Sequence, residues 1–340
     1  MAKKTTTTTR KKTTTAKAKK KAPVKKATKR VAKKTVKRPA AKKTPAKKAA
    51  TKKTAAKKTV KKAAPTPKPK VSPRSSATKL AATSTRTTDD NVWQKLKNWN
   101  LGLGLLHAAQ AVTMALLAKD FRLPLDVNFL TFNDATESLD TTSRTIADVP
   151  LAWLIIAFLA MSAVAHAIIA GPWFDNYKKD LSRGINRARW IEYSLSASTM
   201  MVAIGFLVGI TSLSLFITIF ALTAVMNLCG YIMEVHNQDT KQTSWISFVV
   251  GSIAGIIPWI VIGLFFLSNW LYGSGQPPTF VYVIYISIFL FFNAFAINMY
   301  KQYKKKGKWA DYLYGEKAYM VLSLVAKSAL AWQVFAGTLR

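Results

Sequence analysis

The stretch Val321-Leu322-Ser323-Leu324-Val325-Ala326-Lys327-Ser328-Ala329-Leu330 sets one lysine inside an apolar run that extends from Tyr312 to Leu339. At about 1.5 Å per helical residue, Lys327 lies roughly 22 Å from Tyr312, too deep to snorkel comfortably to either surface. An ammonium at the centre of a bilayer costs about 2.5–3.5 kcal/mol on insertion scales. Such a lysine needs a partner, a wet cavity between helices, or a covalent use. An amine held among apolar side chains can condense with an aldehyde as a Schiff base.

Outward from this run, six further segments are long and apolar enough to span a bilayer, giving seven at about 97–118, 150–170, 188–211, 213–235, 245–268, 279–301 and 312–338. The first is the weakest, because Asn98, Asn100, His107 and Gln110 dilute it, and a six-helix count is the alternative. The third and fourth are nearly fused, with only Gly209, Thr211 and Ser212 marking a tight turn. The expected fold is an all-α membrane protein, a seven-helix bundle over residues 91–340.

The formal charge of +36 is unevenly spread. Residues 1–88 hold 32 of the 51 Lys and Arg residues, no Asp or Glu, and no aromatic residue, so this part of the chain has little to bury. Residues 1–90, rich in Lys, Thr, Ala and Pro, therefore read as a disordered basic tail that cannot offset its ordering entropy. The tail resembles the arms of linker histones, which implies binding to nucleic acid by phosphate neutralisation. Adhesion to anionic lipid is the equal alternative. The amino terminus has no apolar core and reads as lacking a secretory signal. Cys229 is the only cysteine, which excludes a disulfide framework.

Charge also orients the bundle. Lys178, Lys179, Arg183, Arg187 and Arg189 follow the second run, and Lys301, Lys304, Lys305, Lys306 and Lys308 precede the seventh. By the positive-inside rule these loops and the tail face the cytoplasm, so the amino terminus is inside and the carboxy terminus outside. The opposite connection, 119–149, is long enough to predict a structured cap. Within it, Phe129-Leu130-Thr131-Phe132 and the preceding Leu123-Pro124-Leu125-Asp126-Val127 are expected to form a short β-ribbon.

Polar residues inside the spans are the functional candidates. Glu192 and Ser196 are four apart on the third run, Ser162 and His166 four apart on the second, and His107 and Gln110 three apart on the first. Each pair shares a helix face. A buried cation on the seventh run invites a buried anion, and Glu192 is the best placed. The alternatives are a Glu192 at the membrane interface beside Arg189, and histidines that only hydrogen-bond between helices.

At these residues the chain resembles the heliorhodopsins. Arg189-Trp190-Ile191-Glu192-Tyr193-Ser194-Leu195-Ser196 is similar to their third helix, and Leu322-Ser323-Leu324-Val325-Ala326-Lys327-Ser328 to their retinal-bearing seventh. His107, Gln110, Ser162 and His166 match the family's polar residues, and Pro258-Trp259, Phe292 and Phe295 resemble its retinal-pocket residues. An inward amino terminus is the orientation of that family, opposite to ordinary microbial rhodopsins.

The resemblance implies a rhodopsin-like bundle with all-trans retinal on Lys327 as a protonated Schiff base and Glu192 as counterion. It implies that Met226, Trp259, Phe292 and Phe295 pack on the polyene. His107, Gln110, Ser162, His166 and Ser196 would line a polar cavity on the cytoplasmic side. It further implies a homodimer in the lipid bilayer and a light sensor acting on a cytoplasmic partner. Light-gated passive movement of protons or another ion is the alternative, and a membrane anchor for a nucleic-acid-binding tail a third reading. A vectorial pump is disfavoured because no second deep carboxylate is visible on the sixth and seventh runs. Two departures stand out. Ala326 replaces a serine common before the lysine, so Ser323, Ser328 or water must replace its hydroxyl. Thr223 stands where other members carry asparagine. No catalytic triad, phosphate loop or metal-ligand cluster is visible, so no enzyme activity is expected.

Overall fold

Pro150 fixes the start of the second membrane helix and Gly171-Pro172 its end, and similar punctuation divides the rest of the chain. The computed structural model describes residues 76–340 except 239, 275 and 276, and of 76–89 only the backbone. Among these, α1 is Ser76–Leu117, α2 Leu151–Ala170, α3 Phe174–Ser182, α4 Arg187–Leu207, α5 Leu213–His236, α6 Ile246–Tyr272, α7 Thr279–Tyr303 and α8 Tyr312–Val334. A π turn, Phe335–Leu339, continues α8, and its last carbonyl accepts from Lys119 N just beyond α1.

Seven helices among the described residues are long and apolar enough to cross a membrane: all but α3, with α1 contributing Asp90–Leu117. They carry large apolar side chains that are mostly exposed, such as Leu105, Leu116, Trp153 and Ile246. Lipid is the solvent that accepts them, and a helix satisfies its own backbone there. Neighbours along the chain pack side by side, α1 with α2, α2 with α4, α4 with α5, α5 with α6, and α7 with α8. Trp259 on α6 stacks edge-on against Tyr285 and Phe289 of α7, and α8 returns to α1 and α2, closing the ring. The chain is thus an integral multi-pass membrane protein.

The expected basic tail, 1–90, lies outside the described residues as far as residue 75. Its last part is taken up by α1, which starts at Ser76. No Pro or Gly stands between Pro73 and Gly102, so a helix nucleated in the membrane propagates outward at one hydrogen bond per residue.

The cap between α1 and α2 is a two-stranded antiparallel hairpin, β1 Arg122–Asn133 and β2 Ser138–Pro150. It is longer than the ribbon expected from the sequence, and the pairing differs. Leu123–Val127 and Phe129–Phe132 lie on one strand, opposite residues 139–149 rather than each other. The reason is loop length and turn chemistry: only Asn128 stands between Val127 and Phe129, too short for a hairpin loop, whereas Asn133 Oδ1 accepts from Ala135 N (3.0 Å) and starts a reversal with room to close. Asp126 anchors the hairpin, donating its N–H to Thr211 O (2.8 Å) and accepting from Thr145 Oγ1 (2.7 Å).

Thr211 belongs to the turn that separates α4 from α5. Gly209 adopts φ +87°, a left-handed conformation that ends α4 at Leu207, earlier than expected from apolarity alone. Asn269 Nδ2 on α6 donates to Val208 O (2.7 Å) in this turn. Gly209→Val forces a β-branched side chain into that conformation and is expected to cost about 1–2 kcal/mol. A lowered midpoint of thermal unfolding, with the spectrum of helix content unchanged at low temperature, checks it.

Candidate functional site

Lys327 is buried on α8, where its amine meets three neighbours. Nζ donates to Glu192 Oε1 on α4 (2.6 Å) and to Ser323 Oγ one turn back (3.1 Å), and faces the Tyr193 ring at 5.2 Å. The carboxylate that meets it is also braced from α2. Ser162 Oγ lies 2.7 Å from Glu192 Oε1 and 3.0 Å from Phe158 O, and its single proton goes to the charged acceptor. The pair is therefore held by three helices, α2, α4 and α8. Removing either partner of such a buried pair costs about 3–5 kcal/mol, because the other charge is left uncompensated.

From Lys327 an apolar cavity of about 180 Å³ extends between α4, α5, α6, α7 and α8. Its walls include Met200, Met226, Trp259, Phe289, Phe292 and Phe295, with Ser196, Asn227, Asn293 and Ser323 among its few polar groups. Glycines shape it. A Cβ at Gly255 would sit 2.2 Å from Met226 Sδ, and one at Gly230 2.4 Å from the Trp190 ring. Pro258 in α6 has no N–H to return to Ala254, and the next residue, Trp259, packs its ring against Phe292 (5.4 Å).

On the α1–α2 side of the pair, His166 Nδ1 hydrogen-bonds Asn100 Oδ1 (2.8 Å), while Asn100 Nδ2 donates to Leu96 O (2.9 Å). His107 stacks on His166 with ring centroids 5.9 Å apart, and neither of its nitrogens has a hydrogen-bond partner among the described residues.

A second set of buried charges lies toward the start of α8. Arg189, the residue one turn before Glu192, bonds Glu234 of α5 with one guanidinium nitrogen and Glu316 of α8 with another. Both carboxylates are 2% exposed, so groups of the protein rather than solvent must stabilise them. Asn186 caps α4 by accepting from Arg189 N (3.0 Å), and it donates its own N–H to Glu234 (2.8 Å) and Nδ2 to Glu316 (2.7 Å). Tyr177, on α3 outside the spans, donates to Glu316 (3.2 Å). Burial first, and then the charge of Glu316, hold its phenol well above its ordinary pKa, so it stays a donor.

The family model described as Heliorhodopsin matches residues 96–339, which takes in every element of this site. The chain belongs to the heliorhodopsin family. None of the curated proteins compared with it matches. Membership implies a retinal chromophore and a rhodopsin-like, light-receptive role. The residues present fit that group: an aldehyde needs an amine, a polyene needs an elongated apolar space, and here the amine stands in the wall of such a space.

In this heliorhodopsin the residues singled out in the sequence fall into three groups. Lys327, Ser196, Met226, Trp259, Phe292 and Phe295 line the apolar cavity, and Glu192 and Ser162 stand at Lys327. His107 and His166 meet each other. Gln110 is apart from both, accepting from Trp332 Nε1 (3.1 Å). Three residues along a helix turn by about 300° and rise about 4.5 Å, enough to carry Gln110 to a different neighbour. The five residues expected to line one polar cavity are thus divided, and only His166 lines the small polar space beside Glu192. Ser196 keeps its hydroxyl near the carboxylate at longer than bonding range. Ser323 supplies the hydroxyl that Ala326 lacks. Asn227, one turn beyond Thr223 and donating to its carbonyl (2.9 Å), brings an amide to the cavity wall.

Of the two places expected for Glu192, it takes the one beside Lys327, while Arg189 is taken by Glu234 and Glu316. The seventh run carries a buried carboxylate, Glu316, but four residues from the start of α8 rather than deep in the span, so composition reads it as interfacial. The missed residues Asn186, Glu234 and Glu316 are polar residues near helix ends, where composition reads them as solvated, whereas Asn100, inside α1, reads only as diluting the first run. Arg189→Met is expected to lower stability by about 3–5 kcal/mol by stranding two buried carboxylates. Adding Glu234→Gln and Glu316→Gln should recover most of it, read as midpoints of thermal unfolding.

Proposed function

We propose that the chain is a light sensor in which all-trans retinal is attached at Lys327 and Glu192 is the counterion. The observation that carries this reading is the 2.6 Å contact between Lys327 Nζ and Glu192 Oε1 at the wall of the apolar cavity. Retinal bound there would supply visible absorption and a light-driven change of shape. The protein's part is to place the amine, hold its charge and exclude water.

Glu192 holds a proton at Lys327 Nζ by Coulomb attraction in a medium of low dielectric, where the pair is worth more than in water. Ser162 fixes the carboxylate oxygen that faces Nζ, and Ser323 offers Nζ a second acceptor. Tyr193 closes the site with its ring and ties α4 to α8 by donating to Tyr319 O (3.0 Å). Trp259, Phe292 and Phe295 form a rigid wall against which a change of shape becomes a push on α6 and α7. Packed cores respond to such a push by switching between discrete arrangements.

The inward amino terminus belongs to the same proposal. The basic residues of α3 and of Lys301–Lys308 stand at the end of the bundle where α1 enters, and the positive-inside rule turns that end to the cytoplasm. A dimer in the bilayer, and a basic tail held by anionic lipid or nucleic acid, complete the reading.

Three outcomes test it. Purified protein loaded with all-trans retinal should show a visible band that Lys327→Ala abolishes; a band that survives rejects this attachment point. Glu192→Gln should move the band to longer wavelength, because a negative charge near the nitrogen stabilises the ground state, where the positive charge sits. An unmoved band rejects Glu192 as counterion. Under voltage clamp, illumination should give no sustained current at any potential. A photocurrent that reverses with the proton gradient replaces sensing by conduction.

A further inference from the structure

The light-sensing reading leaves one feature unused. A small polar space of about 30 Å³ is bordered both by Glu192 and Ser323 of the Lys327 site and by Asn186, Arg189 and Glu316 of the second charge cluster. A cavity needs about 10–15 Å³ to hold a water molecule, and it needs polar partners. This space meets both conditions, and Arg189 Nε, buried beside it, has no hydrogen-bond partner among the described residues.

The Arg189 cluster also has capacity for a proton. One guanidinium faces two carboxylates there, so with both ionised one negative charge is left unbalanced inside the bundle. The two carboxylates are not equivalent. Glu234 accepts from Arg189, Asn186 N, Trp190 Nε1 (2.7 Å) and Tyr312 OH (3.1 Å). Among the described residues Glu316 accepts from Arg189, Asn186 Nδ2 and Tyr177 OH, and of the two carboxylates it is the one that borders the small space.

We propose that Glu316 takes the proton that leaves the Lys327 nitrogen after light absorption, passed along this space. The proposal rests on the light-sensing reading above. The N–H bond at Nζ breaks and leaves its electron pair on nitrogen, which becomes neutral. A lone pair of the Glu316 carboxylate forms the new O–H bond, and that group becomes neutral too. Net charge inside the bundle is unchanged, so no charge has to cross the bilayer. Glu192 stays ionised, and Arg189 keeps one full partner in Glu234. Tyr177 and Asn186 lose an anionic acceptor at Glu316, which weakens the hold on α3. That short helix, with Lys178 and Lys179, is the surface where a cytoplasmic partner would read the change.

Light-minus-dark infrared spectra of the retinal-loaded full chain test the assignment. A C=O stretch of a protonated carboxylic acid should appear together with the blue-shifted visible species that marks loss of the proton at Lys327, and should shift down in D₂O. Glu316→Gln should abolish it, Glu316→Asp should keep it at a changed frequency, and Glu234→Gln should leave it. A blue-shifted species with no acid band overturns the proposal. So does an acid band that survives Glu316→Gln, is unmoved in Glu316→Asp, or vanishes in Glu234→Gln alone. In each of those cases the light-sensing reading stands, whereas an unsubstituted chain with no visible band defeats both.

Discussion

A charged nitrogen cannot sit unpaired in the middle of a bilayer, and the contact between Lys327 and Glu192 is how this protein meets that constraint. The rest of the site is arranged to keep the contact. Ser162 comes from α2, Glu192 from α4 and Ser323 from the same helix as the lysine, so the pair fixes three helices relative to one another. An apolar cavity can then open beside it without admitting enough water to dissolve it. The dry wall and the ion pair need each other: a wet cavity would screen the pair, and an unpaired lysine would draw water into the cavity.

The Arg189 cluster obeys the same rule with different consequences. Lys327 has one carboxylate and an adaptable amine, whereas Arg189 has a planar fork bound to two carboxylates and stacked on the Tyr319 ring at 4.1 Å. Guanidinium remains charged in proteins, so this site is a fixed positive centre around which carboxylates exchange roles. It ties α4, α5 and α8 together, and through Tyr177 and Asn186 it reaches α3. One residue pattern on α4, Arg189 followed by Glu192, therefore feeds two charge clusters one helical turn apart. The separation arises because three residues along a helix advance about 4.5 Å.

Much of this was legible in the residues. Seven apolar runs, the turn at Gly209, the lone deep lysine and the carboxylate four residues from Ser196 are one-dimensional signals, and the structure keeps them. Pocket residues such as Trp259 and Phe292 were named through a family likeness, since an aromatic residue in a membrane helix carries no mark of which way it faces. The hairpin was half read: its existence follows from length and β-forming residues, but its pairing depends on where Asn133 begins the turn. Glu234 and Glu316 escaped notice because each stands within a few residues of a helix end, where a carboxylate is ordinarily solvated.

The sequence alone determined the membrane class, the number of spans and the presence of a buried cation that demanded an anion. These follow from hydrophobic free energy and length, which accumulate residue by residue. Tertiary structure decided the partners: that Glu192 meets Lys327, that Arg189 meets Glu234 and Glu316, and that Gln110 turns away from His107 toward Trp332. The physical reason is that a charge in low dielectric is stabilised by whichever opposite charge lies within a few ångströms. Which helices come that close is fixed by their rotation and packing, and no local pattern of residues encodes it.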